Sequence, residues 1–152
     1  MDYEIVTLKE KKIMGLSLRT GNMDPEMGAK IGGLWQRLFG EGLFEAIPKK
    51  VSESSIGFYS DYAQGLAGEY DVTVGCEVSS TDNILKDMVV KVIPEGHYAK
   101  FVIIGDMVEA VQKAWSEIWA MDLKRTFTGD FEEYVSMQEN GECEIHIYIA
   151  VK

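Results

Sequence analysis

Two strand-like segments near the carboxyl end of the chain hold the side chains best suited to chemistry. In the first segment, 131–134, the two-residue period of a β-strand points Glu132 and Tyr134 to the same side. The second segment alternates isoleucines with other residues, among them His146 and Tyr148. A sharp Asn-Gly turn between the segments predicts an antiparallel hairpin. Such a hairpin can set a carboxylate, an imidazole and two phenols on one sheet surface.

A carboxylate among aromatic rings can serve in two ways. Partial burial raises the pKa of such a group. In its charged form it can pair with an organic cation that also contacts aromatic faces, and in a cleft it can act as a general acid or base. The residues alone do not separate these uses. They also leave a plainer alternative open: if helices cover the isoleucine side of the hairpin, Glu132 is a solvated strand residue.

Two segments with helical spacing are expected to lie over this sheet. The first follows Pro25, a residue favoured in the first turn of a helix, and carries Trp35 on its apolar stripe. The second, 107–121, follows a Gly-Asp capping pair and places Trp115 and Trp119 on one face. Either of these two indoles can reach the carboxylate surface. Between the elements, the sequence predicts a loop at 40–55 and turns at 65–68 and 139–142.

The chain reads as two copies of one β-β-α-β-β unit, residues 3–78 and 89–151. We therefore expect a single α+β domain over 1–152, with pseudo-twofold symmetry and two long helices on an extended antiparallel sheet. A crevice between such copies is a common place for a small ligand. The copies pair three sets of aromatic residues: Trp35 with Trp115, Phe39 with Trp119, and Tyr59 with Tyr134.

The two copies differ where the chemistry is expected. Gly57 occupies the position that corresponds to Glu132, so the crevice has one polar side and one open side. A glycine within a strand marks the close approach of a ligand or of another backbone, or simply a bulge.

Composition excludes several classes of function. The net charge of −10 over 152 residues argues against direct binding to nucleic acid, which needs a basic surface. A negative surface favours cationic ligands, although it also serves solubility alone. No segment has the length of a membrane span, and residues 1–4 lack the positive charge and apolar stretch typical of a signal peptide, so we expect a cytoplasmic protein without membrane contact. Metal and cofactor motifs are missing, and Cys76 and Cys143 are expected to be buried apolar residues.

The order of these signals resembles the GyrI-like effector-binding domains, and most of all the stand-alone proteins of integron cassettes. The resemblance covers nearly the whole chain and rests on short motifs: Pro94-Glu95-Gly96-His97-Tyr98-Ala99, the helix from Trp115 to Trp119, Asp130-Phe131-Glu132-Glu133-Tyr134, 68–78 and 147–152. It implies the SOUL/GyrI-like fold, with an aromatic pocket between helices and sheet.

The resemblance also implies roles for individual residues. A buried glutamate that meets lipophilic cations corresponds to Glu132, and Tyr148 corresponds to part of the pocket wall. His146 stands where relatives carry an acid, a departure that weakens the expected preference for cations. Some relatives hydrolyse reactive cyclopropane-containing drugs with a tryptophan and a glutamate, for which Trp119 and Glu132 are the nearest equivalents and Trp115 the next.

The expected function is therefore binding of an amphipathic or cationic small molecule, with the site formed by Glu132, Tyr134, Trp115, Trp119, Tyr148, His146, Tyr59 and Gly57. The protein can sequester such a molecule or present its bound state to another protein, such as a transcription regulator. Two alternatives remain: a hydrolase that uses Glu132 and Trp119, and an inhibitor of a larger enzyme such as gyrase.

Overall fold

The computed structural model describes residues 1–65, 68–137 and 140–152, apart from the side chain of residue 137. Three helices and eight strands lie within these ranges. The helices are α1 (Met27–Gly40), α2 (Leu43–Ala46) and α3 (Glu109–Trp119). The strands are β1 (Glu4–Leu8), β2 (Lys11–Gly21), β3 (Ser55–Ser60), β4 (Glu69–Val78), β5 (Val89–Ile93), β6 (Gly96–Asp106), β7 (Asp130–Met137) and β8 (Glu142–Val151).

The eight strands form one antiparallel sheet in the order β1-β6-β8-β7-β3-β4-β2-β5. The middle of the sheet is the pairing of β3 with β7, which sets Gly57 opposite Glu132 and Ser55 opposite Tyr134. Because β3 comes from the first half of the chain and β7 from the second, this pairing joins the halves. We call it the seam. A mixed α+β fold with an antiparallel sheet, as the sequence predicts, is confirmed.

Helices α1 and α3 pack on the same face of the sheet, on either side of the seam. Helix α1 buries Leu34 and Leu38 against β2 and β4, and α3 buries Ala114 and Ile118 against β6 and β8. The opposite face has its own apolar cluster: Ile13, Ile56, Phe58, Ile93, Tyr98, Phe131, Tyr148 and Ala150. Apolar residues are thus buried on both faces of the sheet, and the central strands are closely packed.

The connecting segments partly follow the expectations. At the start of α3, the carboxylate of Asp106 accepts the backbone N–H groups of Val108 and Glu109, as the predicted cap requires. The segment expected to be a loop contains α2, whose Phe44 is buried and whose end is held by Lys50 Nζ donating to three backbone carbonyls. Within the two predicted turns, residues 66, 67 and 139 lie outside the described residues. No helix in the described ranges is long and apolar enough to cross a membrane.

Candidate ligand-binding site

Glu132 lies at the seam, on the face that carries the helices. Its exposed fraction is 1%, although it is an acidic residue in the middle of a sheet. The position follows from the strand pairing: Glu132 lies opposite Ile147 on β8 and opposite Gly57 on β3, so its side chain rises toward α1 and α3. The seam therefore contains a sheltered carboxylate.

Aromatic side chains donate hydrogen bonds to this carboxylate. The indole N–H of Trp115 donates to Oε2 at 2.6 Å, and the hydroxyl of Tyr134 donates to Oε1 at 2.9 Å. Burial raises the pKa of Glu132, while hydrogen bonds from Trp115, Tyr134 and Tyr59 act in the opposite direction. Burial and the nearby Glu132 charge also raise the pKa of Tyr59 and Tyr134, which keeps both phenols protonated and able to donate.

No basic group in the described part of the chain forms an ion pair with Glu132. An ionised carboxylate out of water is costly unless a positive charge compensates it, and three neutral donors compensate it only in part. The site is therefore suited to receive a cation from outside the chain.

Aromatic rings from both halves cross over the seam. Trp115 of the second half meets Tyr59 of the first edge to face at 5.4 Å, and Trp35 of the first half meets Tyr134 of the second at 5.3 Å. Above them lie two more exposed rings: Trp119, 6.3 Å from Trp115 and 42% exposed, and Phe39, stacked 6.0 Å from Trp35 and 52% exposed. Rings thus extend continuously from the carboxylate to the protein surface.

The structure separates the two candidate tryptophans of α3. Trp115 contacts Glu132 directly, whereas Trp119 reaches it only through Trp115. Trp35 is a site residue that the sequence-based list omits. The pairing of Trp35 with Trp115 in the two copies is a signal that points to it. Tyr70, buried behind Tyr59 at 5.8 Å, is the other addition.

Two expected members of the site lie elsewhere. The register sets Tyr148 opposite Phe131 and His146 opposite Glu133, so both side chains point to the face without helices. Tyr148 stacks on Phe131 at 4.4 Å, and His146 Nε2 lies 2.7 Å from a carboxylate oxygen of Glu144. The predicted juxtaposition of these two residues with Glu132 is wrong, because a β-bulge between Tyr134 and Ser136 shifts the hairpin register by one residue.

The same register overturns the plainer alternative for Glu132. Helix α3 does cover the isoleucine side, where Ile145, Ile147 and Ile149 are fully buried. Glu132 shares that side instead of opposing it, and is therefore enclosed rather than solvated.

Gly57 leaves room for the carboxylate. A Cβ atom at this position would lie 3.0 Å from Glu132 Oε1 and 3.2 Å from Trp35 Cζ2. We predict that Gly57→Ala displaces the carboxylate or the indole and lowers the free energy of unfolding by about 1–3 kcal/mol, as measured by urea denaturation. Gly32→Ala on α1 is the matched control, because its Cβ meets nothing within 4 Å. An unchanged stability for Gly57→Ala would show that the seam is looser than its geometry indicates.

Two surface hollows, of about 400 and 250 Å³, lie away from Glu132. The larger is lined by residues near Asp24 and Glu69, and the smaller by residues of β6 and α3 that include Ile104 and Lys113. At the seam itself the rings contact one another, so a ligand reaches the carboxylate only when a ring moves aside. Within the described ranges, no group of three or more potential ligand residues could hold a metal ion.

Two known structures share the fold of this chain. The structure of the protein SAV2435 bound to tetraphenylphosphonium has the same fold, with a TM-score of 0.82 at 20% identity, covering 100% of this chain and 94% of that one. An integron cassette protein of Vibrio cholerae gives a TM-score of 0.79 at 32% identity, covering 99% of this chain and 95% of that one.

The sequence profile of the integron-associated effector binding proteins matches residues 4–151, and the chain belongs to that family. It is also 34% identical over 158 residues to a Bacillus subtilis protein named "Putative transcriptional regulator protein YobU", covering 97% of this chain and 96% of that protein. The resemblance inferred from the sequence motifs is thus confirmed.

Proposed function

We propose that this protein binds lipophilic organic cations at the seam, with Glu132 as the charge partner. The observation that carries the proposal is a carboxylate that is 1% exposed, is surrounded by aromatic rings and has no basic partner within the described chain. A weakly hydrated cation loses little on leaving water and gains both the charge of Glu132 and the faces of the rings.

Access to the carboxylate requires movement of the rings that cover it. Trp119 and Phe39 are partly exposed and lie over Trp115 and Trp35, so they form the first contact surface for a hydrophobic ligand. Trp115 then has to leave Glu132 Oε2, and the cation replaces the lost indole hydrogen bond with a full charge interaction. A ligand that lacks a positive charge offers no such replacement.

The relatives support the proposal in two respects. The protein SAV2435, which has a similar fold, has a structure bound to tetraphenylphosphonium, a lipophilic cation. The relative from Bacillus subtilis carries the name of a transcriptional regulator, which supports a role in which ligand binding is transmitted to the control of transcription through another protein.

We also infer that the site arose by duplication of one unit. When each strand is replaced by its counterpart in the other half, the strand order is the same read from either edge of the sheet. Residues 31–39 of α1 and 111–119 of α3 share one burial pattern, residue by residue. Duplication then explains why Trp35 and Trp115 flank the seam symmetrically. The two copies differ at the centre of the seam, where one has the small residue Gly57 and the other the large residue Glu132.

Two ligands of the same shape and opposite charge test the proposal. We expect tetraphenylphosphonium to bind, and tetraphenylborate, which matches it in size and ring arrangement, to bind at least about 100-fold more weakly. Calorimetric titration of both ions measures the difference. Equal affinities would mean that hydrophobic contact alone drives binding, and no binding of either ion would refute the proposed function.

A further inference from the structure

A second buried carboxylate lies two residues before Glu132, on the same face of β7. Asp130 is fully buried and lies opposite Tyr59 in the strand pairing. Its Oδ1 accepts the backbone N–H of Ala150 at 2.8 Å, and its Oδ2 accepts both the Tyr62 hydroxyl and Arg125 Nη2 at 2.6 Å. Unlike Glu132, this carboxylate has its positive partner within the chain.

Only one of the three guanidinium nitrogens of Arg125 takes part in this ion pair. Its side chain is 6% exposed, and one nitrogen, Nη2, contacts Asp130. The other two, Nε and Nη1, are enclosed and have no hydrogen-bond partner among the described residues. A guanidinium carries five N–H donors, and leaving buried donors without acceptors is unfavourable. Such donors in a native fold point to an acceptor that the described residues do not supply.

An aromatic ring covers this arginine. The guanidinium carbon of Arg125 lies 4.4 Å from the centre of the Phe127 ring, and Phe127 meets Tyr62 edge to face at 5.6 Å. The backbone of Phe127 has φ +55°, a left-handed conformation that a bulky residue rarely adopts. Strain of this kind concentrates at ligand-binding positions. The ring that covers Arg125 therefore belongs to a residue with a strained backbone.

Ring contacts join the two charged places. They run from Trp115 through Tyr59, Tyr70 and Tyr62 to Phe127, with centroid distances between 5.4 and 5.8 Å. Residues two positions apart on a strand are separated by about 7 Å. Asp130 and Arg125 therefore lie close enough to Glu132 for one drug-sized molecule to reach both places. One ligand can therefore span both.

We propose that Arg125 is a second subsite of the same ligand site and receives a carboxylate, so that the preferred ligand is a zwitterion. This inference rests on the proposed function, since the cationic end of the ligand pairs with Glu132. The Nε and Nη1 donors form charge-assisted hydrogen bonds to the carboxylate at the other end. The chain's net charge of −10 predicts the reverse preference, because an added acid on the ligand is repelled overall.

The free acid and the ethyl ester of one rhodamine dye are the probes, since both carry the same cationic ring system. We expect the wild-type protein to bind the free acid at least about tenfold more tightly than the ester, as measured by fluorescence titration. Tighter or equal binding of the ester would overturn the subsite while leaving the cation site in place. If neither dye nor tetraphenylphosphonium binds, the proposed function itself fails.

Arg125→Lys identifies the donor. Lysine keeps a positive charge beside Asp130 but lacks the Nε and Nη1 groups, so the preference for the free acid should fall by about tenfold or more, with tetraphenylphosphonium affinity unchanged. Lys124→Gln, which removes an exposed neighbouring charge, should leave the preference intact. An acid preference that survives in Arg125→Lys would contradict the assignment. If that variant does not fold, the wild-type comparison of acid with ester still decides.

Discussion

Glu132→Gln is expected to weaken binding of tetraphenylphosphonium by about 10- to 100-fold, or ~1.5–3 kcal/mol. Glutamine keeps the size of the side chain, and its amide oxygen still accepts the indole N–H of Trp115. The change therefore removes the charge and little else. No basic residue of the described chain pairs with this carboxylate. The lost binding free energy therefore reports the interaction of Glu132 with the bound cation and not the loss of an internal ion pair. Calorimetric titration of both proteins gives the ratio of dissociation constants.

The matched control is Glu133→Gln. Glu133 is the next residue on β7, it points to the opposite face beside His146, and its substitution changes the net charge of the protein by the same amount. We expect its affinity for tetraphenylphosphonium to equal that of the wild type. Equal losses in the two variants would mean that the overall negative field attracts the cation, and the seam would lose its assigned role.

Asp130→Asn is expected to lower the free energy of unfolding by about 3–5 kcal/mol. The asparagine oxygen can still accept the backbone N–H of Ala150, but the guanidinium of Arg125 then remains buried without a counter-charge. Urea denaturation measures the loss. The two acids of this strand face thus differ: Asp130 forms an ion pair with Arg125, whereas Glu132 forms none with the described residues.

Asp61→Asn is the control for this second prediction. Asp61 also forms an ion pair, with Lys91 at 2.9 Å, but its side chain is 59% exposed. Exposed pairs of this kind contribute less than about 1 kcal/mol. A loss for Asp130→Asn as small as that for Asp61→Asn would show that Arg125 finds another acceptor, and the account of its unused donors would have to change.

The elements of the fold are largely readable from the sequence because periodicity is a local property. The apolar stripe that predicts Trp35 and Trp115 on the inner face of their helices depends only on helical spacing. The helix α2 was missed because it spans four residues, Leu43–Ala46, and is held by Lys50 rather than by its own pattern. Side-chain hydrogen bonds of this kind, from Lys50 to the carbonyls of Phe44, Glu45 and Ile47, leave no periodic signal in the sequence.

The composition of the site was less predictable, because it depends on register. Alternation correctly placed Glu132 and Tyr134 on one side of β7, but it does not say which side of β8 faces the same way. A shift of one residue exchanges every side chain between the faces. The β-bulge between Tyr134 and Ser136 produces that shift: it pairs Glu132 with Ile147 and leaves His146 and Tyr148 on the other face.

Proton release on ligand binding tests the central claim most directly, namely that a buried, ionisable Glu132 is the partner of a cation. Burial raises the pKa of this group, and a bound cation favours its charged form, so binding lowers the pKa and expels a proton. Affinity for the cation should accordingly rise with pH through the pKa of Glu132 and level off above it.

The measurement is calorimetric titration with tetraphenylphosphonium in buffers of different ionisation enthalpy, repeated at several pH values upward from the ordinary glutamate pKa of about 4.3. We predict that the wild type releases a fraction of a proton per ligand in the lower part of this range, and that Glu132→Gln releases none. Identical proton release by the two proteins, or none by either at any pH, would contradict the role assigned to Glu132.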